Sequence, residues 1–462
     1  MSKKIFAVVL AGGKGTRMKS DLPKVIHDVN GVAMVEKINM TLNKLKVDRK
    51  VFVVGYKKEE VLNEISGEFE HVEQREQLGT AHAVLQANML LENEDGIVIV
   101  LCGDTPLLQE SVLKKMLACH QKKNRAATVL TTKVPDPFGY GRIVKDSTDT
   151  VLRIVEEKEA TDKERQITEI NTGVYCFDSK LLWKHLIQVD NKNSKGEYYL
   201  TDMVEILKDA GEEVGVFFTE RYKDTIGVNS KPQLAQASET LRQRKLEQLL
   251  ESGVEIIDAN CTYIEDCVEV GAGCVIHPNV YLQGETKIGK NCELYGSSRI
   301  VNSKIGHNCL IESSTIKESH LSEGCKIGPN AHLRGGNEIG ENCVIGNFVE
   351  LKNATLGEGV KVKHLSYLGD CEVGAGTNVG AGSYTCNYDG VNKHRTSIGE
   401  NVFVGSGAKF IAPVQVENGA VVAAGSVITD KVPGDSLAIA RSRQEVKEGW
   451  AKRWRAKLKK QS

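Results

Sequence analysis

"LSEGCKIGPNAHLRGGNEIGENCVIGNFVEL", residues 321–351, places an aliphatic side chain at every sixth position: Leu321, Ile327, Leu333, Ile339, Ile345 and Leu351. A repeat of six is the signature of a parallel β-helix, in which three hexads complete one coil and each aliphatic residue points inward from one side. The same step joins Ile264, Val270, Ile276, Leu282, Ile288 and Leu294 upstream. It joins Ile398, Val404, Phe410, Val416, Val422 and Ile428 downstream. Glycine often follows the aliphatic residue, as in "IGKNCE" and "IGENCV". Spacing alone does not fix the hand of the coil.

The repeat also explains the cysteines. Cys261, Cys274, Cys292, Cys309, Cys325 and Cys343 each stand four residues after an aliphatic hexad position, in a slot that takes a small inward side chain. Cysteine behaves as a small hydrophobe there. None of the twelve cysteines shows C-x-x-C spacing, which argues against a metal or disulfide framework. The repeat breaks at 385–397, "TCNYDGVNKHRTS", where a loop is expelled from the coil. Such interruptions usually serve a site.

Residues 1 to about 229 have another grammar. "KIFAVVLA" (4–11), "KVFVVG" (50–55) and "GIVIVLCGD" (96–104) are short apolar runs suited to strands buried on both faces. Stretches of helical period, Met34 to Leu45 and Ala81 to Leu91, lie between them. The alternation predicts an α/β domain with a mainly parallel sheet, its ligands beyond the carboxyl ends of the strands. From Asn229 to Ser252, apolar Leu234, Ala237, Leu241, Leu246 and Leu249 mark one long helix ending at Gly253. The expected organisation is therefore 1–229, a linker helix 230–252, and a β-helix with a basic tail over 253–462. In that tail, "KEGWAKRWRAKLKKQS", Trp450 and Trp454 share one helix face and are expected to dock.

Composition narrows the function. In 462 residues, Lys plus Arg number 60 and Asp plus Glu 61, so no global field holds a nucleic acid. The apolar stretch at the N-terminus runs straight into a glycine loop and is too short for a signal peptide. No stretch reaches the ~18 apolar residues of a membrane span. A soluble, cytoplasmic protein without nucleic-acid or membrane partners is expected.

The glycine loop, "LAGGKGTRMKSDLPK" (10–24), is neither G-x-x-x-x-G-K-[ST] nor G-x-G-x-x-G. Gly12, Gly13 and Gly15 let backbone N–H groups approach a triphosphate closely. Arg17 would neutralise phosphate with a fork and Lys24 with a point charge. Asp104 follows a buried strand, where a carboxylate oxygen can hold Mg²⁺ and leave sites for phosphate and water. In the β-helix, His364 stands two residues after the inward Val362 in "KVKHLSYLGD" (361–370). Tyr367 follows it by three, and "CNYDG" (386–390) lies on the expelled loop.

With "EQREQLGTAHA" (73–83), "GYGRIV" (139–144), "IVEEKEAT" (154–161) and "EINTGVY" (169–175), the first half resembles the sugar-1-phosphate nucleotidylyltransferases. Along essentially its whole length the chain is similar to the bacterial family of bifunctional N-acetylglucosamine-1-phosphate uridylyltransferases and glucosamine-1-phosphate acetyltransferases. The resemblance implies uridylyl transfer from UTP to N-acetylglucosamine 1-phosphate. Leu10, Ala11, Gly12, Gly13 and Lys24 would hold the nucleotide; Gln74, Gly79 and Thr80 would contact uracil. Gly141, Glu156 and Asn171 would hold the sugar, and Asp104 and Asn229 would bind Mg²⁺. Arg17 and Lys24 would act as catalytic cations, with no protein nucleophile required.

For the second half the resemblance implies acetyl transfer from acetyl-CoA to glucosamine 1-phosphate, with His364 as general base. Imidazole titrates near neutrality, which suits that task. Arg334 and Lys352 would grip the sugar phosphate, and Tyr367, Asn378 and Asn387 would orient the sugar. Ala381, Tyr388, Ser406, Ala424 and Arg441 would meet CoA or the oxyanion region. A left-handed coil and a homotrimer are implied likewise. The chain departs from the family's usual residues at Gly12 (alanine), Cys102 (tyrosine) and Gly335 (proline). Two other readings stay open: a monofunctional nucleotidylyltransferase whose β-helix only oligomerises or binds an effector, and a non-catalytic or single-activity descendant in which Cys102 or Gly335 has cost one site its function.

Overall fold

The computed structural model describes residues 3–459; residues 1–2 and 460–462, the last of the basic tail, lie outside the described residues. It divides into two compact units, Met1–Gln243 and Arg244–Ser462.

In the first unit, strands Lys4–Leu10, Arg49–Val54 and Gly96–Cys102 form where the sequence has its short apolar runs. Phe6, Val8, Phe52, Val53, Val98 and Val100 are fully buried, as strands covered on both faces require. The sheet runs Val214–Phe218, Ala127–Lys133, Glu169–Asp178, Gly96–Cys102, Lys4–Leu10, Arg49–Val54, Glu70–Glu73. Neighbours along this path are parallel except around Glu169–Asp178, which is antiparallel to both, and the antiparallel pair Arg142–Lys145 and Val151–Val155 joins the same nine-stranded sheet off the path. Ile38 and Leu42 of helix Met34–Leu45, with Leu113 and Met116 of helix Glu110–Lys122, pack against one face, on Val9 and Ile99. Ala81, Val84, Leu182 and Met203 pack with Val8 and Val98 on the other. The helix expected over Ala81–Leu91 is two, Thr80–Gln86 and Asn88–Leu91. Between them the N–H of Ala87 bonds three residues back, to Val84 O at 3.0 Å, and this tighter turn breaks the α-helical ladder.

Register places the site. Leu10 is level with Val53 on one side and Cys102 on the other. Ala11 N–H donates to Val53 O at 2.8 Å, and Gly103 N–H to Leu10 O at 3.0 Å. The glycine loop and Asp104 therefore leave the sheet side by side, at its carboxyl end.

The long helix spans Lys231–Glu251. Ala237 and Leu241 pack with Met34, Leu107 and Val228, whereas Leu246 and Leu249 belong to the core of the second unit.

That second unit is a three-sided parallel β-helix. One side is a sheet of 11 strands. A sheet of 17 forms the other two, because Glu350–Leu356 and Tyr367–Val373 run round a corner and belong to both sides. The inward aliphatic residues named above are buried, except Val270, which is partly so. Tyr263 pairs with Tyr281 and Tyr281 with Arg299, but Arg299 pairs with Thr315. This shortened coil shifts the phase of the sequence repeat between Leu294 and Leu321 while the stacking continues. Tyr384 pairs with Lys409, across the expelled loop, which closes on itself through a bridge between Tyr388 and Lys393.

Cys274, Cys292, Cys309, Cys325 and Cys343 are buried, and each thiol donates to a carbonyl of the next coil at 3.0–3.3 Å. Their slot thus asks for a small donor as well as a small hydrophobe. Cys261 departs from the expectation: the short helical turn Ala259–Cys261 takes the place of a strand corner and leaves it half-buried. Trp450 and Trp454 depart as well. At i, i+4 on helix Trp450–Leu458 they stack on each other, with ring centroids 5.8 Å apart, and stay 52% and 50% exposed instead of docking. Among the described residues, no helix is long and apolar enough to cross a membrane.

Candidate active sites

In the first unit the sequence shapes the loop around Lys24. Gly15 has φ +69°, and a Cβ there would lie 2.4 Å from Lys24 Cβ, so only glycine lets the lysine fold back over the loop. Thr16–Met18 form a single 3₁₀ turn carrying Arg17, and Pro23 leads into another that starts at Lys24. The cations then converge. Lys24 Nζ donates to Asp104 Oδ2 and, at 3.0 Å, to Asn229 Oδ1; Arg17 Nη2 donates to the same Asn229 oxygen at 2.9 Å. Val228 N–H donates to Asp104 O at 2.8 Å, and Gln233 Oε1 accepts from Asn229 N–H at 2.8 Å, which fixes both carriers. A carboxylate and an amide oxygen that share one cation make a hard, oxygen-only pair, the donor chemistry that fits Mg²⁺.

A cleft of about 290 Å³ opens beside them, lined in part by Leu10, Gly12, Gly13, Gln74, Gly79 and Thr80. Ala11 is buried under the loop. Gln74 is buried, its Nε2 donating to Gly79 O at 3.1 Å and meeting His82 Nδ1 at 3.1 Å. Gly79 has φ +121°, and a Cβ there would be 2.4 Å from Tyr198 O. Thr80 Oγ1 accepts from Leu200 N–H at 2.9 Å. Gln77 and Glu197 also line the cleft, and sequence reasoning missed both. Gln77 stood inside the quoted 73–83 motif. Glu197 had no local signal, since the pairing of Tyr198 N–H with Leu78 O at 2.8 Å brings it in.

Gly141, Glu156 and Asn171 gather separately. Asn171 N–H donates to Gly141 O at 2.9 Å, and a Cβ at Gly141 would lie 3.5 Å from Glu156 Oε1. An irregular register between Asn171 and Tyr175 frees the Asn171 amide. Its Nδ2 donates to Tyr175 Oη at 2.7 Å, and its Oδ1 accepts from Gly173 N–H at 3.0 Å. Burial pushes the Glu156 carboxyl up, against the 3.3 Å hydrogen bond from Thr201. Burial, then the charge of Glu156, raises Asp202 to about 6. Cys102 Sγ donates to Gly173 O at 3.8 Å, and burial pushes this thiol up to about 12, with Asp104 adding to the effect. A neutral thiol therefore stands where the resemblance leads one to expect a phenol.

In the second unit two corners of the β-helix matter. His364 is exposed at the end of strand Lys361–His364, and small residues stack above it. Gly382 N–H donates to His364 O at 3.3 Å, Gly407 N–H to Ala381 O at 2.8 Å, and Gly425 N–H to Ser406 O at 2.8 Å. His364, Ala381, Ser406 and Ala424 thus form a column along one corner. The next corner collects cations. Arg334 Nη1 pairs with Glu350 at 2.9 Å, and Lys352 Nζ lies 3.7 Å from Asp370 Oδ2, which also accepts from Asn387 Nδ2. Tyr367 folds its ring over Gly369, with Oη 2.3 Å from where a Cβ would be. Lys393 joins this corner from the expelled loop, and the nearness and positive charge of Lys352 push the Lys393 ammonium down. Neither Lys393 nor Asp370 was read from the sequence, although "GVNK" and "YLGD" lay in stretches already singled out.

Gly335 has φ +131°, which proline cannot adopt, yet Arg334 stays in the ladder through its N–H to Leu351 O at 2.8 Å. Three expected residues lie outside these clusters. Asn378 opens the strand Asn378–Val379, level with Lys361. Tyr388 is exposed on the loop and donates to Gly390 O, and Arg441 is exposed beyond the last strand, Leu437–Ala438.

Comparison with known proteins matches residues 6–255 to the nucleotidyl transferase family. Residues 318–353 and 395–430 match the bacterial transferase hexapeptide (six repeats) family. The bifunctional protein GlmU of Listeria monocytogenes serotype 4a (strain HCC23) is 48% identical over 452 residues, 98% of this chain and 99% of its own. That of Shouchella clausii (strain KSM-K16) is 46% identical over 97% of this chain and 99% of its own. The GlmU of Streptococcus agalactiae serotype III (strain NEM316) is 45% identical over 96% and 97%.

Proposed function

The chain belongs to the GlmU family of bifunctional proteins, and from that premise we propose which residues carry each of its two reactions. It is an enzyme that makes UDP-N-acetylglucosamine, a cell-wall precursor. One activity moves an acetyl group from acetyl-CoA to the amine of glucosamine 1-phosphate. The other moves a uridylyl group from UTP to the N-acetylglucosamine 1-phosphate so formed and releases pyrophosphate.

Uridylyl transfer is assigned to residues 1–229, the connecting helix to 230–252 and acetyl transfer to 253–462. The observation that carries the first assignment is the meeting of Arg17, Lys24, Asp104 and Asn229 beside the glycine loop. Leu10, Ala11, Gly12 and Gly13 present backbone to the nucleotide, while Gln74, Gly79 and Thr80 read its base. Gly141, Glu156 and Asn171 hold the sugar. Asp104 and Asn229 would hold Mg²⁺, which when bound supplies positive charge at the phosphates. A phosphate oxygen of the sugar phosphate attacks the α-phosphorus in line and pyrophosphate leaves. Arg17 and Lys24 offset the charge that builds as the bond forms.

In the second unit His364 takes the ammonium proton of glucosamine 1-phosphate, so that a free amine attacks the thioester carbonyl. Arg334, Lys352 and Lys393 hold the phosphate; Tyr367, Asn378 and Asn387 orient the ring. Ala381, Ser406 and Ala424 floor a strip beside His364 along which CoA lies, and Tyr388 and Arg441 are assigned to CoA as well. A left-handed coil, a homotrimer and a cytoplasmic location belong to the same proposal, supported by the hexapeptide repeats.

Mass spectrometry of a mixture of glucosamine 1-phosphate, acetyl-CoA, UTP and Mg²⁺ tests the assignment. N-acetylglucosamine 1-phosphate should accumulate when UTP is omitted, and UDP-N-acetylglucosamine should appear when it is present. Conversion only of supplied N-acetylglucosamine 1-phosphate would reduce the β-helix to a scaffold.

A further inference from the structure

We propose that Asp370 is a positioning residue of the acetyl-transfer site, holding the phosphate-binding cations in place before the sugar phosphate arrives. Asp370 sits at the corner where strand Tyr367–Val373 turns, with φ +50° and its side chain only 15% exposed. Oδ1 accepts from Asn353 Nδ2 at 2.9 Å; Oδ2 accepts from Asn387 Nδ2 and faces Lys352 Nζ at 3.7 Å. One carboxylate therefore joins the preceding coil, its lysine, and the root of the expelled loop that carries Lys393.

The charges show why such a residue is needed. The nearness and charge of Lys352 push the Lys393 ammonium down; Arg334 adds to this and Asp370 opposes it. Glu350 is already paired with Arg334. Without a negative group between them, two adjacent ammonium groups would splay apart. Asp370 offsets that repulsion, and its hydrogen bond to Asn387 tethers the hairpin Asn387–His394 to the coil. A phosphate dianion then meets cations already gathered, and less of its binding energy goes into ordering them.

The inference rests on the acetyltransferase reading, and the experiment separates the two. Wild type, Asp370→Asn and Asn353→Ala are assayed with glucosamine 1-phosphate and acetyl-CoA, with inorganic phosphate as competing anion and uridylyl transfer as a check on folding. Asp370→Asn keeps the size of the side chain but removes the charge. Its KM for glucosamine 1-phosphate and its inhibition constant for phosphate should both rise about tenfold, as expected for the loss of a charge-assisted contact. The KM for acetyl-CoA should stay within about twofold. Asn353→Ala, which frees one oxygen of Asp370, should shift the same two constants by about threefold. That variant decides the matter should Asp370→Asn fail to fold. Unchanged constants overturn the proposal, and so does tighter phosphate binding, since a merely unneutralised cluster would attract anions more strongly. Absence of acetylation by the wild type would instead overturn the acetyltransferase reading.

Discussion

Arg17 Nη2 and Lys24 Nζ donate to one and the same atom, Asn229 Oδ1, at 2.9 and 3.0 Å. Residues some two hundred positions apart in sequence are thereby fixed at one point, and Asp104 is drawn in through Lys24. Asn229→Ala removes the shared anchor. Uridylyl transfer should fall about 10²–10³-fold, the range for losing one preorganised electrostatic contact. Acetyl transfer by the same preparation should be unchanged; equal losses in both assays would sink the assignment.

Gly79→Ala probes the cleft wall. The new Cβ would meet Tyr198 O at 2.4 Å on a backbone of φ +121°. A loss of about 1–3 kcal/mol in the unfolding of the first unit is expected, since an alanine there must strain or move. Denaturant titration measures it, and an unchanged midpoint would show that Tyr198 yields easily.

His364→Ala should slow acetyl transfer about 10²–10⁴-fold, the range for a general base. Uridylyl transfer to supplied N-acetylglucosamine 1-phosphate should be untouched. Retention of full acetylation would remove His364 from the mechanism.

Asp202 gives stability a pH dependence of defined sign. Its carboxyl titrates at about 6 in the folded protein, raised from 3.8, with Glu156, Asp190 and Glu205 as the charges that face it. Between those values the native state keeps a proton that the unfolded chain has released. Its contribution to stability therefore falls as pH rises from about 4 to about 6, and the full penalty applies above that. Asp202→Asn should be more stable than wild type by on the order of 1–2 kcal/mol at pH 8 and equal to it near pH 3.5. Thermal melts at the two pH values decide, and a gain at low pH only would reverse the argument.

Thiol titration tests the β-helix interior. Of the twelve cysteines, Cys267 is exposed, whereas the five in the ladder are buried with their S–H groups bonded. Native protein should show one fast-reacting thiol and denatured protein all twelve. Rapid reaction of several more would mean that the coils breathe or that the ladder is misassigned.

Much of the fold was legible because its forces are local and periodic. The sixfold step of Leu321 to Leu351 gave the coil, and the apolar runs around Val8, Val53 and Val100 gave the sheet. The glycine loop and Asp104 were legible as neighbours because strand ends in such sheets are level. What stayed hidden depends on contacts between distant segments. Nothing near Glu197 announces a cleft, and Asp370 looks like a turn residue until Asn353, Lys352 and Asn387 are seen around it. Trp450 and Trp454 looked like anchors, yet their spacing lets them satisfy each other. The shortened coils between Leu294 and Leu321 broke the phase of the repeat because stacking constrains each turn of the coil, not the number of residues in it.

The column His364, Ala381, Ser406, Ala424 turns the β-helix into a ruler. Adjacent coils are about 4.8 Å apart, so His364 and Ala424, three coils apart, are separated by roughly 14 Å along the axis. Distance along that edge comes in steps of one coil, and no side-chain substitution can alter it by a fraction of a step. If acetyl-CoA lies on the strip as proposed, its arm has to span this fixed distance to bring the thioester to the amine beside His364. Deleting one coil between them would leave every side chain chemically intact and the reacting carbon about 5 Å out of place.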